Sequence, residues 1–239
     1  MKLILCLLLA PLPSIIWLAF YLRKDKHPEP NKMIIKIFFL GVLSVPLAGL
    51  LEHLFFEGIS RLNIISQIVI LVIGFAFIEE FLKYLVVKFG ALRSSFFDEP
   101  VDAMIYMIIA ALGFAAAENI YLLSQAYPAT MPIGSALEFI STRFLGATFL
   151  HALASGIIGY FLAASLLVNS KIRKLLLWSG ILIGTILHSI FNYIIILNSQ
   201  GLIDALTRNF YLLILLVFMA ITLSFMFKKI NKHRSICKI

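Results

Sequence analysis

Three glutamates, one lysine and two histidines lie inside stretches otherwise apolar enough to span a membrane. Glu79, Glu80 and Lys83 interrupt a run from about Ile64 to Phe89, while Glu118, His151 and His188 each interrupt another. An ionisable group in hydrocarbon costs about 2.5 kcal/mol or more, so each is by default a functional-site candidate. On a helix, Lys83 is an i,i+4 neighbour of Glu79 and an i,i+3 neighbour of Glu80, so one ammonium reaches either carboxylate. Glu118 precedes Asn119 and shares a face with Phe114 and Tyr121. Arg143 and His151 fall on nearly one face, as do His188 and Asn192.

The charges narrow the chemistry. Glu79, Glu80 and Glu118 outnumber Lys83 by three to one, and neutral histidines add nothing. A low-dielectric pocket holding that excess takes up protons or a divalent cation. Both routes suit hydrolysis. A carboxylate in such a pocket is a general base for water. Glu118, His151 and His188, with Glu79 or Glu80, have the ligand types of a catalytic zinc site that keeps one position open. In a metal-free version His188 and Asn192 donate hydrogen bonds to a developing oxyanion.

Only membrane spans can position these groups. The chain has 239 residues, of which 62% are apolar and 13% charged, against about 25% charged in soluble domains. Apolar runs place seven spans at about 3–22, 34–52, 63–89, 102–124, 137–168, 174–198 and 209–228. The expectation is an all-α polytopic bundle forming a single integral-membrane domain, 1–239, with its first span uncleaved. Breakers separate the spans at His27-Pro28-Glu29-Pro30, Asp98-Glu99-Pro100 and Tyr127–Pro132. Most of the 20 lysines and arginines follow the first, third, fifth and seventh spans. The positive-inside rule therefore puts the N-terminus outside and the C-terminus in the cytoplasm. The net charge of +8 is thus topological and implies no nucleic acid. Cys6 and Cys237 have no metal or redox spacing. Gly180 with Gly184, and Ala152 with Gly156, are small-residue pairs suited to close helix packing. Measured at about 1.5 Å per residue, the polar groups lie roughly 20 to 30 Å from the basic ends of their spans. That is one slab, from mid-membrane toward the outer face.

At these residues the chain resembles the PrsW family of intramembrane proteases, within a superfamily that includes type II CAAX prenyl endopeptidases and bacteriocin-immunity-type membrane proteins. The resemblance rests on the Asp25…His27-Pro28-Glu29-Pro30 loop, EExxK at Glu79-Glu80-Lys83, FxxxE at Phe114-Glu118 with Asn119, then His151, and HxxxN at His188-Asn192. Lysine closes the first motif and glutamate the second, which favours the PrsW branch. Asp102-Ala103 departs from an expected aspartate–glycine at that helix start. The resemblance implies site-1 cleavage of a single-pass anti-sigma factor at a bacterial cytoplasmic membrane, in an envelope-stress response. It also implies roles: Glu79 and Glu80 supply the water-activating base and Lys83 tunes them. Glu118, His151 and His188 polarise the substrate or bind a metal such as zinc, and Asn192 is an oxyanion donor.

Two other readings remain at this stage: a non-catalytic immunity or scaffold protein of the same fold, and a proton- or cation-coupled transporter. Other intramembrane protease chemistries fit poorly, because the chain has no HExxH and no serine in a GxSG setting.

Overall fold

In a computed structural model, residues 8–25, 27–60, 64–126 and 133–232 are described. The first residues of the 3–22 span, the Tyr127–Pro132 turn, Cys6, Cys237 and the tail beyond Lys232 lie outside them. Eight helices run through the described residues: α1 Leu12–Leu22, α2 Asn31–Ile59, α3 Ile64–Gly90, α4 Pro100–Ala126, α5 Ile133–Leu145, α6 Ala147–Leu166, α7 Ser170–Ser199 and α8 Ala205–Ile230. The chain is a polytopic membrane helix bundle. α2, α4, α5–α6 taken together, α7 and α8 are each long and apolar enough to cross a membrane. At 27 residues α3 is also long enough, and its second half carries Glu79, Glu80 and Lys83.

The helices exceed the apolar runs at several ends because polar caps extend them. Asn169 accepts from the Ile172 amide at the start of α7, and Asp204 from the Thr207 amide at the start of α8. The 137–168 span differs more: it is two helices, broken at Gly146. A Cβ there would sit 2.8 Å from the Thr142 carbonyl oxygen. The end of α5 leaves carbonyls without helical partners. Trp17 of α1 serves one of them, its indole N–H donating to Phe144 O at 2.9 Å while its ring stacks on Phe149.

α4 is the centre of the bundle. Its apolar window is 94% buried, against 22% for α2 and for α8. α2 and α6 both pack on it, and small residues set their approach. A Cβ on Gly113 would collide with the Phe38 carbonyl, and one on Gly41 with the Ala110 carbonyl. Gly113→Ala is therefore expected to destabilise the bundle by about 1–3 kcal/mol, since backbone atoms cannot move aside as a side chain would. A thermal melt in detergent reads the loss, and an unchanged midpoint would contradict the α2–α4 contact. The small pairs also pack: Gly180 meets Phe161, Gly184 meets Ile158, and Gly156 meets Leu223 and Ile108.

Candidate active site

Four of the spans bring Glu79, Glu80, Lys83, Glu118, His151 and His188 into one network. Its hub is Lys83, fully buried among charges and rings. The ammonium donates to Glu80 Oε1 at 2.8 Å, to Glu79 Oε2 at 3.4 Å and to His151 Nδ1 at 2.8 Å. It also lies 4.4 Å from the centre of the Phe114 ring, a cation–π contact that FxxxE spacing delivers one turn from Glu118.

The hydrogen-bond inventory fixes both imidazoles. A lysine ammonium only donates, so His151 Nδ1 accepts and the ring proton sits on Nε2. Nε2 then donates to Glu118 Oε2 at 2.9 Å. His188 has the opposite tautomer. Its Nδ1 faces Glu80 Oε1 at 3.0 Å and donates to it, leaving the Nε2 lone pair 4.0 Å from Glu79 Oε2. The rings meet edge to face, with centroids 5.0 Å apart.

The two adjacent glutamates are not equivalent. Glu80 is wholly buried and saturated, taking Lys83 and His188 on Oε1 and the Ser155 hydroxyl on Oε2 at 2.6 Å. The Glu79 side chain keeps 12% exposure, and among the described residues its one hydrogen bond is the long contact to Lys83, with His151 Nδ1 3.8 Å and His188 Nε2 4.0 Å from the same oxygen. Of the two, Glu79 is the carboxylate left with exposed surface.

Glu118 is held from two sides. Arg143 Nη2 donates to Oε2 at 2.7 Å, and His151 approaches the same oxygen. Asn119 supports that arm: its carbonyl oxygen accepts from Arg143 Nε, and its amide donates to Thr148 Oγ1 and to Ala10 O. Arg143 and His151 are eight residues apart, about 12 Å along one continuous helix. The break at Gly146 lets both reach one carboxylate.

Asn192 is not hydrogen-bonded into this network among the described residues. It is partly buried one turn beyond His188 and makes no hydrogen bond among the described residues. Glu52 of α2 is a carboxylate that the sequence reading missed. It is half-buried and interacts electrostatically with Glu79, Glu118, Lys83 and His188. The signal was present, because Glu52 is itself an acid in an apolar stretch from Val42 to Phe56.

Glu79, His151 and His188 place one donor atom each within 4.8 Å of one another, the number and types of a catalytic zinc site. Glu118 is not of that set, being committed to Arg143. The donors are not free, however. The Lys83 ammonium stands against His151 Nδ1 and Glu79 Oε2, two of the three. Zinc binds at about 2.0–2.2 Å from such atoms, which would put it against the ammonium. With Lys83 in this position the residues do not fit a resident metal.

Comparison with known proteins agrees with the helix bundle and its charged motifs, although the family matched is described as metal-dependent. The family model described as "PrsW family intramembrane metalloprotease" matches residues 29–222. Protease PrsW of Geobacillus kaustophilus (strain HTA426) is 31% identical over 183 residues, 76% of this chain and 75% of that protein. Protease PrsW of Bacillus subtilis (strain 168) is 28% identical over 226 residues, 94% of this chain and 93% of that protein. The corresponding protease of Clostridioides difficile (strain 630) is 29% identical over 199 residues, 80% and 79% of the two chains. No solved structure matches the chain. With the family match spanning the charged network and most of the bundle, this chain belongs to the PrsW family of intramembrane proteases.

Proposed function

We propose that the protein cleaves a single-pass membrane protein of the anti-sigma-factor type, on the outer side of a bacterial cytoplasmic membrane, by metal-free hydrolysis. The observation that carries the chemistry is the asymmetry between saturated Glu80 and partly exposed Glu79. A water between Glu79 Oε2 and His188 Nε2, 4.0 Å apart, would give one hydrogen bond to each. Glu79 takes its proton as the water oxygen bonds to the scissile carbonyl carbon. The developing oxyanion meets the Asn192 amide, which has no competing partner among the described residues, and the Arg143 guanidinium. Collapse breaks the carbon–nitrogen bond, and the proton on Glu79 passes to the departing amine.

Lys83 holds the pieces in register. Its ammonium supplies the positive charge that a metal would otherwise bring, and Glu80 fixes both Lys83 and His188. The outer-side assignment rests on topology. Glu118 lies eight residues from the end of α4, about 12 Å, and Glu52 seven residues from the end of α2, about 10 Å. Both ends lie opposite the basic loops.

Exhaustive chelation tests the metal-free reading. Purified protease in detergent, dialysed against a strong chelator and returned to zinc-free buffer with Ca2+ and Mg2+, is expected to keep its cleavage rate on a single-pass peptide substrate. A rate that falls with chelation and returns with Zn2+ overturns that mechanism and favours the donor set Glu79, His151 and His188. A trapped-substrate pull-down from envelope-stressed cells checks the substrate class, and recovery of no anti-sigma factor would remove it.

A further inference from the structure

A second acidic cluster lies far from the network above, at the basic end of the bundle. Asp25 and Glu29 come from the loop between α1 and α2, and Asp102 from the first turn of α4. Asp102 precedes Glu118 by sixteen residues, about 24 Å of helix. All three are buried, at 8%, 7% and 2% exposure, and one oxygen of each lies within 4.8 Å of the others.

The bonds these carboxylates make leave the cluster incomplete. Asp102 Oδ2 accepts from the amides of Asp98 and Glu99, an arrangement that caps the start of α4. Glu29 Oε2 accepts from the Tyr106 hydroxyl. Asp25 Oδ1 accepts from the His27 amide, but Asp25 Oδ2 is buried with no hydrogen-bond partner. Among the described residues no lysine or arginine forms an ion pair with any of the three. The nearest imidazole, His27, is occupied by Glu99 at 2.7 Å. Three converging carboxylates with a bare buried oxygen call for positive charge that none of the described residues supplies.

We propose that Asp25, Glu29 and Asp102 form a site for a hard divalent cation, Ca2+ or Mg2+, which ties the α1–α2 loop to the start of α4. Oxygen-only donors of this charge suit those ions rather than zinc or copper, which favour nitrogen and sulfur. The ion's role is structural, since α4 carries Phe114, Glu118 and Asn119 to the candidate active site. The site is independent of the proteolytic reading.

Terbium luminescence on the full chain in detergent tests the proposal, because Tyr106 is placed to sensitise an ion bound beside Glu29. Saturable emission that Ca2+ or Mg2+ competes away is expected, and the stronger competitor identifies the preferred ion. Asp25→Asn combined with Glu29→Gln should weaken binding by at least about tenfold, since it removes two charged ligands. Glu79→Gln should leave binding unchanged. Tyr106→Phe guards against a misfolded double variant: emission should fall while Ca2+ or Mg2+ still raises the melting temperature. Emission unchanged in Tyr106→Phe, or surviving the double substitution, places the ion elsewhere and overturns the site. Melting of the wild type indifferent to both cations overturns it as well, because protons would then neutralise the three carboxyls.

Discussion

Glu79→Gln is expected to lower peptide-bond cleavage by about 10²–10⁴-fold, the usual contribution of a positioned general base, while the protein still accumulates in the membrane. The amide is nearly isosteric and gives up only a 3.4 Å contact to Lys83, so the fold has little to lose. Cleavage of a reconstituted single-pass substrate at matched protein levels is the measurement. Glu80→Gln should behave differently. It strips charge from a carboxylate bonded to Lys83, His188 and Ser155, and both rate and melting temperature should fall. Wild-type cleavage in Glu79→Gln would remove Glu79 as the base and pass that role to another carboxylate of the network.

Lys83→Met should be the most destabilising single change in the site. The ammonium is fully buried and, among the described residues, is the only lysine or arginine that contacts Glu80 directly. Removing one partner of a buried pair leaves the other charge unpaired, at a cost of about 3–5 kcal/mol. Loss of folded protein from the membrane fraction, or a sharply lower melting temperature, is the expected readout. The pair also allows a rescue. Lys83→Met combined with Glu80→Gln removes both charges and should recover much of the stability but none of the cleavage. A double variant as unstable as Lys83→Met would mean that Lys83 acts mainly through Glu79 and His151. A stable Lys83→Met would contradict the buried ion pair itself.

Much of this site was legible because hydrocarbon makes ionisable residues conspicuous. Glu79, Glu80, Lys83, Glu118, His151 and His188 stand out from apolar surroundings, and helical spacing places each on an inward face. Their convergence followed from a common depth. Glu52 escaped notice since it sits at the end of an apolar run, where an acid reads as an interfacial residue. Arg143 was visible on the His151 face, but its grip on Glu118 was not, because that contact depends on the break at Gly146. One glycine among apolar residues carries no mark that separates a break from close packing. Asn192 illustrates the reverse limit: its i,i+4 spacing from His188 fixes a face, and the network closes without it. Asp25 and Glu29 drew attention only as part of the loop motif. Their meeting with Asp102, more than seventy residues later, is set by how the loop folds back over α4.

The encasement of α4 has a consequence for handling the protease outside the cell. Its apolar window is 94% buried, so its solvent is protein, whichever amphiphile surrounds the whole. Exchanging lipid for a micelle re-wets the outward flanks of α2 and α8 and leaves the surroundings of fully buried Glu80, Lys83 and Asn119 as they were. The reacting groups carry their own medium with them, and extraction should spare the chemistry even where it loosens the periphery.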